Sequence, residues 1–209
     1  MKSMETQDTV IVEFAMTCPQ LLSKEHRSDP YKVLEQLFSY CGLGGYRAEL
    51  NKWFKHALSE GVKYKRASDL LFIHDQFEQF IQAAYLIASK GIRYTPTPDP
   101  NGMPFSEWLV QNSCTKDTDN IEHHAYTMPY WLEVRHRNAP IEYLQQILTI
   151  ENVKYIRTGL QEWKEASSSK HMCIADLEHK YLFDLYILVQ KIVEACYLLI
   201  TADVKLNRK

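Results

Sequence analysis

No C-x-x-C pair occurs anywhere in this sequence, and its five cysteines (Cys18, Cys41, Cys114, Cys173 and Cys196) are odd in number and far apart. That spacing argues against a disulfide framework and against a paired-cysteine zinc site, and it predicts reduced thiols. Glycine and proline are also scarce, at 7 and 8 in 209 residues. So little punctuation disfavours a fold of many short strands and turns. Neither sign of charge dominates: 24 Lys and Arg face 26 Asp and Glu, for a formal net charge of -2. No global positive field therefore draws the chain onto nucleic acid or an anionic membrane.

Long apolar runs are missing as well. Val10 to Met16 is short and interrupted by Glu13, and the apolar C-terminal segment contains Asp184, Gln190, Lys191 and Glu194. Neither pattern spans a bilayer, and the first thirty residues lack the basic start and apolar stretch of a signal peptide, so no membrane association and a cytoplasmic location are the expectation. The G-x-S-x-G elbow and the G-x-x-x-x-G-K-[ST] phosphate loop are absent. Gly42-Leu43-Gly44-Gly45 follows a helical pattern, not a strand, and reads as a helix-to-helix turn.

What is present is helical periodicity. Asp29-Pro30 opens a helix with an N-cap residue and a proline at its first position; Tyr31, Leu34, Leu37, Phe38 and Cys41 then share a face. A second helix carries Tyr46, Leu50, Trp53, Phe54, Ala57 and Leu58, with Gly61 as its expected stop. A third is predicted from Ser68-Asp69 to Lys90, stopped by Gly91. Its apolar face holds Leu70, Ile73, Phe77, Phe80, Ile81, Ala84, Tyr85 and Ala88, and Asp75, Glu78, Gln79 and Gln82 fall on the opposite side of the wheel.

A proline-rich loop, residues 91–103, separates two helical halves. Beyond it a short helix is expected from Ser106, another from Pro129 to about Arg137, a third restarting at Asn138-Ala139-Pro140, and a fourth through Val153, Ile156, Leu160 and Trp163 until Ser167-Ser168-Ser169 breaks it. The last, from about Ile174 to Ala202, has an apolar stripe wide enough to touch several neighbours and reads as the spine. Val10, Ile11, Val12 and Phe14 form the best strand candidate, with Ile92 to Thr95 as a conceivable partner.

The expected fold is all-α: a multi-helix up-and-down bundle of five to eight helices with at most a minor N-terminal strand element. It is one domain over residues 1–209, with flexible ends at 1–9 and 205–209. Leu185, Ile192, Phe77 and Trp53 are core candidates.

Eight histidines raise the question of metal. A carboxylate three residues before a histidine puts both on one helix face, as di-iron bundles require. Glu133/His136 and Asp176/His179 have that spacing, but about one such pair is expected by chance at this composition. His123 and His124 are adjacent; on a helix they would point about 100° apart and chelate one ion poorly. Metal candidates are thus His123, His124, Glu133 and His136, and the leading expectation is that the protein uses no metal or cofactor. Two small basic clusters, Lys63-Tyr64-Lys65-Arg66 and Arg135-His136-Arg137 after Tyr130-Trp131, have the composition that holds phosphates and stacks bases, although solvated helix ends explain them more simply.

The segment Phe72-Ile73-His74-Asp75-Gln76-Phe77-Glu78-Gln79-Phe80-Ile81-Gln82-Ala83-Ala84, ending at Gly91, resembles the signature helix of HEPN domains, with Glu78, Gln82 and Ala83 matching its tail. The likeness covers some twenty residues of the 209. It implies a helical bundle, often dimeric, that is either a metal-independent RNase or a non-catalytic partner of nucleotidyltransferases. The RNase members carry an arginine, four to six residues, then a histidine. Here Arg137-Asn138 starts that pattern with no histidine through Leu144, and Arg66 and His74 have seven residues between them. On this resemblance the catalytic candidates are Arg66, His74, Arg135 and Arg137.

Three functions follow, in order. The first is a non-catalytic helical interaction or regulatory protein, with a protein partner or self-association as a homodimer. The second is a HEPN-like RNase or toxin-system component acting on nucleic acid. The third is a carboxylate–histidine metal protein.

Overall fold

The computed structural model describes residues 21–60, 63–93, 102–103, 128–169, 172, 174 and 179–201. The expected strand at Val10–Phe14, the helix from Ser106, His123, His124, Asp176, Cys18, Cys114 and Cys173 lie outside these residues. Within them the chain is an all-α bundle of eight helices with no strand: α1 (Lys24–Ser28), α2 (Pro30–Tyr40), α3 (Leu43–Leu58), α4 (Ala67–Lys90), α5 (Val134–Asn138), α6 (Pro140–Ile147), α7 (Ile150–Ser168) and α8 (His179–Thr201). Among the described residues no helix is long and apolar enough to cross a membrane.

Local chemistry sets the helix ends. Pro30 stands in the first turn of α2, where its missing N–H costs nothing. Asp29 occupies the N-cap position as its sequence suggests, but its side chain caps no N–H. Thr149 does cap α7, accepting from the Asn152 N–H at 3.2 Å. Gly91 ends α4 in the left-handed region, at φ 59°, and donates its N–H to Ile87 O at 3.0 Å. A side chain there would be strained, so this stop belongs to glycine.

Two long helices form the centre. α4 packs against α1, α2, α6, α7 and α8; α8 packs against α2, α3, α4, α5, α6 and α7. The expected spine is therefore shared between them. Buried side chains from Leu22 to Ile200 make one continuous core, to which helices on both sides of the proline-rich loop contribute, and Leu185, Ile192, Phe77 and Trp53 are fully buried in it. Its densest part is aromatic: Trp53 meets Trp163 edge-on at 5.8 Å, and Tyr46 meets Phe80 at 4.8 Å. α7 approaches α8 at Gly159, where a Cβ would overlap Leu185 Cδ2.

A single lysine ties three segments together. Lys63 Nζ donates to Ser59 O, just past the end of α3, to Ala166 O in the last turn of α7, and to Met172 O, at 2.6, 2.7 and 2.8 Å. The basic cluster around it is in this respect a clasp, since helix C-termini present unpaired carbonyls that a cation satisfies.

Two sequence expectations are corrected. Residues 129–133 are not helical; the helix in this stretch is only Val134–Asn138. The backbone N–H groups of Tyr130, Trp131 and Leu132 turn toward the Glu194 carboxylate. Glu78 and Gln82 are not on a solvated face either. Each is 3% exposed, because α7 covers that side of α4 with Arg157.

Candidate functional site

The described residues contain two buried ion pairs, and each organises a site. The first joins Arg47 of α3 to Glu194 of α8, 147 residues apart. Both side chains are almost wholly withdrawn from water. An unpaired ion there would be very costly, so the geometry must supply full compensation. Glu194 receives it from the guanidinium and from three successive backbone donors: Tyr130 N at 3.2 Å, Trp131 N at 2.9 Å and Leu132 N at 2.9 Å. Arg47 also donates to Met128 O at 2.7 Å and lies over the Tyr130 ring, 4.1 Å from its centroid.

This anchoring pins residues 128–132 between α3 and α8 and leaves an open groove of about 340 Å³ lined by Gly44, Arg47, Ala48, Asn51, Tyr130, Tyr186 and Gln190. Gly44 and Ala48 give the groove its depth on the α3 side, because small side chains leave space. Tyr186 is held by Gln190, whose Nε2 donates to its hydroxyl at 3.1 Å, and by stacking on Phe54 at 4.9 Å. Tyr130, 56% exposed, lines the groove, and exposed Met128 adjoins it through the bond of its carbonyl with Arg47; Phe183, 54% exposed, sits one turn before Tyr186 and packs on Phe54.

The second pair joins Glu78 of α4 to Arg157 of α7, Nε to Oε2 at 2.5 Å. Burial pushes the Glu78 carboxyl up, to about 7, against the pull of its hydrogen bond with Gln82 and of the Lys164 charge. His74, one turn earlier, packs on Trp53, with ring centroids 6.0 Å apart, and its Nδ1 lies 3.2 Å from Asp75 Oδ1. Burial pulls the His74 imidazole below its ordinary value, more strongly than Asp75 raises it.

Among the described residues, the candidates drawn from the sequence do not come together. Arg66 is exposed at the N-cap position of α4, and His74 is buried where α4 meets α3 and α7. Arg135 is exposed on α5 and pairs with exposed Glu133 at 2.9 Å. Arg137 is spent on the chain itself, donating to Leu132 O at 2.7 Å and Tyr130 O at 3.4 Å. The His136 ring packs at a tilt against that of Tyr143, with centroids 4.5 Å apart. Among the described residues no three His, Cys, Asp or Glu side chains gather as a metal site needs. Both described thiols are held above the ordinary value by burial, as suits structural cysteines: Cys41 is half-buried and Cys196 fully buried. Of the HEPN-like positions, Glu78 and Gln82 belong to the buried face against α7.

Arg47, Glu194, Tyr186 and Gln190 were not singled out as a site from the sequence. The available signal was Glu194 itself, a carboxylate between Ile192-Val193 and Ala195-Cys196 in the most apolar stripe of the chain. A charge in that setting needs a partner, which the linear sequence does not name. Comparison with known proteins adds no relative: no family model, no curated protein and no solved structure matches the chain.

Proposed function

We propose that this protein is a non-catalytic binding module whose recognition surface is the groove between α3 and α8. The observation that carries this reading is the groove's make-up. Exposed Tyr130 and half-buried Tyr186 wall the depression, residues 128–132 are held by the Arg47–Glu194 pair, and exposed Phe183 packs beside Tyr186 on Phe54. Aromatic anchors beside arginine on a rigid support are the composition of interface hot spots. Clustered exposed apolar side chains mark contact surfaces more often than scattered ones do. The lining also argues against chemistry. It offers two tyrosines, two amides and a guanidinium already committed to a carboxylate, while His74 and Glu78 lie elsewhere, between α4 and α7.

The test is site-specific photo-crosslinking in cells. A photoreactive residue replacing Phe183 should yield a discrete adduct that Tyr130→Ala abolishes, and the same residue replacing Tyr40, on the exposed Tyr40–Phe72 patch, should not. An adduct of twice the chain mass would make the partner a second copy. Equal adducts from both positions, or none from 183, would reject the groove.

A further inference from the structure

The outer face of the first half of α8 is open to solvent. Phe183 and Asp184 are exposed there, and Ile187 and Lys191 are half-exposed. Asp184, Ile187 and Lys191 stand at i, i+3 and i+7, so they share one seam of the helix. Ile187, unlike its neighbours Tyr186 and Leu188, does not pack against the core. Phe183 flanks this seam on the α3 side: it and Tyr186 both pack on Phe54, and Tyr186 and Gln190 line the groove. Neither Asp184 nor Lys191 enters an ion pair among the described residues.

These two charges are opposite in sign and lie about 10 Å apart along the axis at 1.5 Å per residue, with Ile187 near the midpoint. That order is self-complementary. Laid antiparallel on a copy of itself, about a twofold axis that crosses the seam beside Ile187, the helix brings Asp184 to Lys191 of the second copy and Lys191 to its Asp184, and covers Ile187 between them. A parallel contact would set like charges opposite each other. The same twofold axis keeps the α3 side of one copy on the α3 side of the other. Each exposed Phe183 then comes opposite the stretch of α8 that carries Gln190, at the groove of the other copy. We propose that the occupant of the groove is a second copy of this chain, docked by an antiparallel α8–α8 contact in which Asp184 pairs with Lys191 across the axis and Phe183 seats in the opposite groove. This rests on the groove being the recognition surface and names its partner; one patch serves both copies, as an isologous dimer requires.

Charge reversal in the full chain tests this, with molar mass followed against concentration by sedimentation equilibrium. The unaltered chain should form dimers. Asp184→Lys or Lys191→Asp alone sets like charges opposite each other at both ends of the contact, so dimerisation should weaken about tenfold or more. Circular dichroism should stay unchanged, since both positions reach the surface. The double variant Asp184→Lys/Lys191→Asp should restore the dimer, and so should an equimolar mixture of the two single variants, which regains both opposite-charge contacts. A chain that stays monomeric, single reversals that leave the dimer intact, or a double variant as weak as the single ones would overturn the inference. A monomeric chain that still gives the crosslinked adduct from position 183, at another mass, removes the second copy and leaves the groove reading standing; a monomeric chain with no such adduct removes both.

Discussion

Glu194 and Glu78 are both buried glutamates paired with arginine, yet the fold treats them differently. Glu194 is surrounded by donors from three consecutive peptide groups as well as Arg47. Glu78 has Arg157 and Gln82, and burial prevails enough to push its carboxyl up to about 7. Backbone dipoles that are already fixed stabilise a buried charge without ordering further side chains. The Glu194 pair therefore organises a surface, whereas the Glu78 pair joins two helices inside one.

That contrast can be broken. Glu194→Ala should be the most damaging change, about 3–5 kcal/mol in urea unfolding, because it strands the Arg47 charge and the three amides. Equal losses for Glu194→Ala and Glu78→Gln would erase the distinction. A packing scale for the same helices comes from Leu185→Ala, expected to cost roughly 2–5 kcal/mol at this fully buried position. Gly159→Ala, which drives a methyl into Leu185, should cost about 1–3 kcal/mol. Combined, the two should cost less than their sum, since Leu185→Ala vacates the space. Glu78→Gln should cost only about 1–3 kcal/mol, because the amide still accepts from Arg157.

His74 sharpens the contrast through pH. Its folded value lies below the ordinary 6.5, so the unfolded chain binds the proton more tightly and stability falls as pH drops through 6.5 toward the folded value. Asp75 on its own helix opposes this and Lys164 from α7 adds to it. In His74→Gln, melting temperatures followed across this range should lose that part of the acid-side decline; an unchanged slope would assign it elsewhere. The smallest effect is expected from Arg135→Ala, within about half a kcal/mol, since both it and Glu133 are exposed.

The helices were legible where one residue type decides. Pro30 at the head of α2, Gly91 at the foot of α4 and the apolar faces of α4 and α8 needed no tertiary information. The site was not legible, because partners decide it. Glu78 looks solvated on a helical wheel until α7 brings Arg157 onto that face, and the amides of Tyr130, Trp131 and Leu132 find their acceptor in Glu194, more than sixty residues later. The Arg47–Glu194 pair spans most of the chain, and no local pattern encodes such a distance.

Lys63 gives these packing details a chemical consequence. Its ammonium group holds carbonyls from three separate stretches, Ser59, Ala166 and Met172. Acetylation would remove the charge and leave one N–H where three bonds are now made. Amine-reactive labelling should therefore spare Lys63 in the folded protein relative to exposed Lys55, and once acylated the ends of α3 and α7 would come untied together. In this position the charge of one side chain is tied directly to the packing of the bundle.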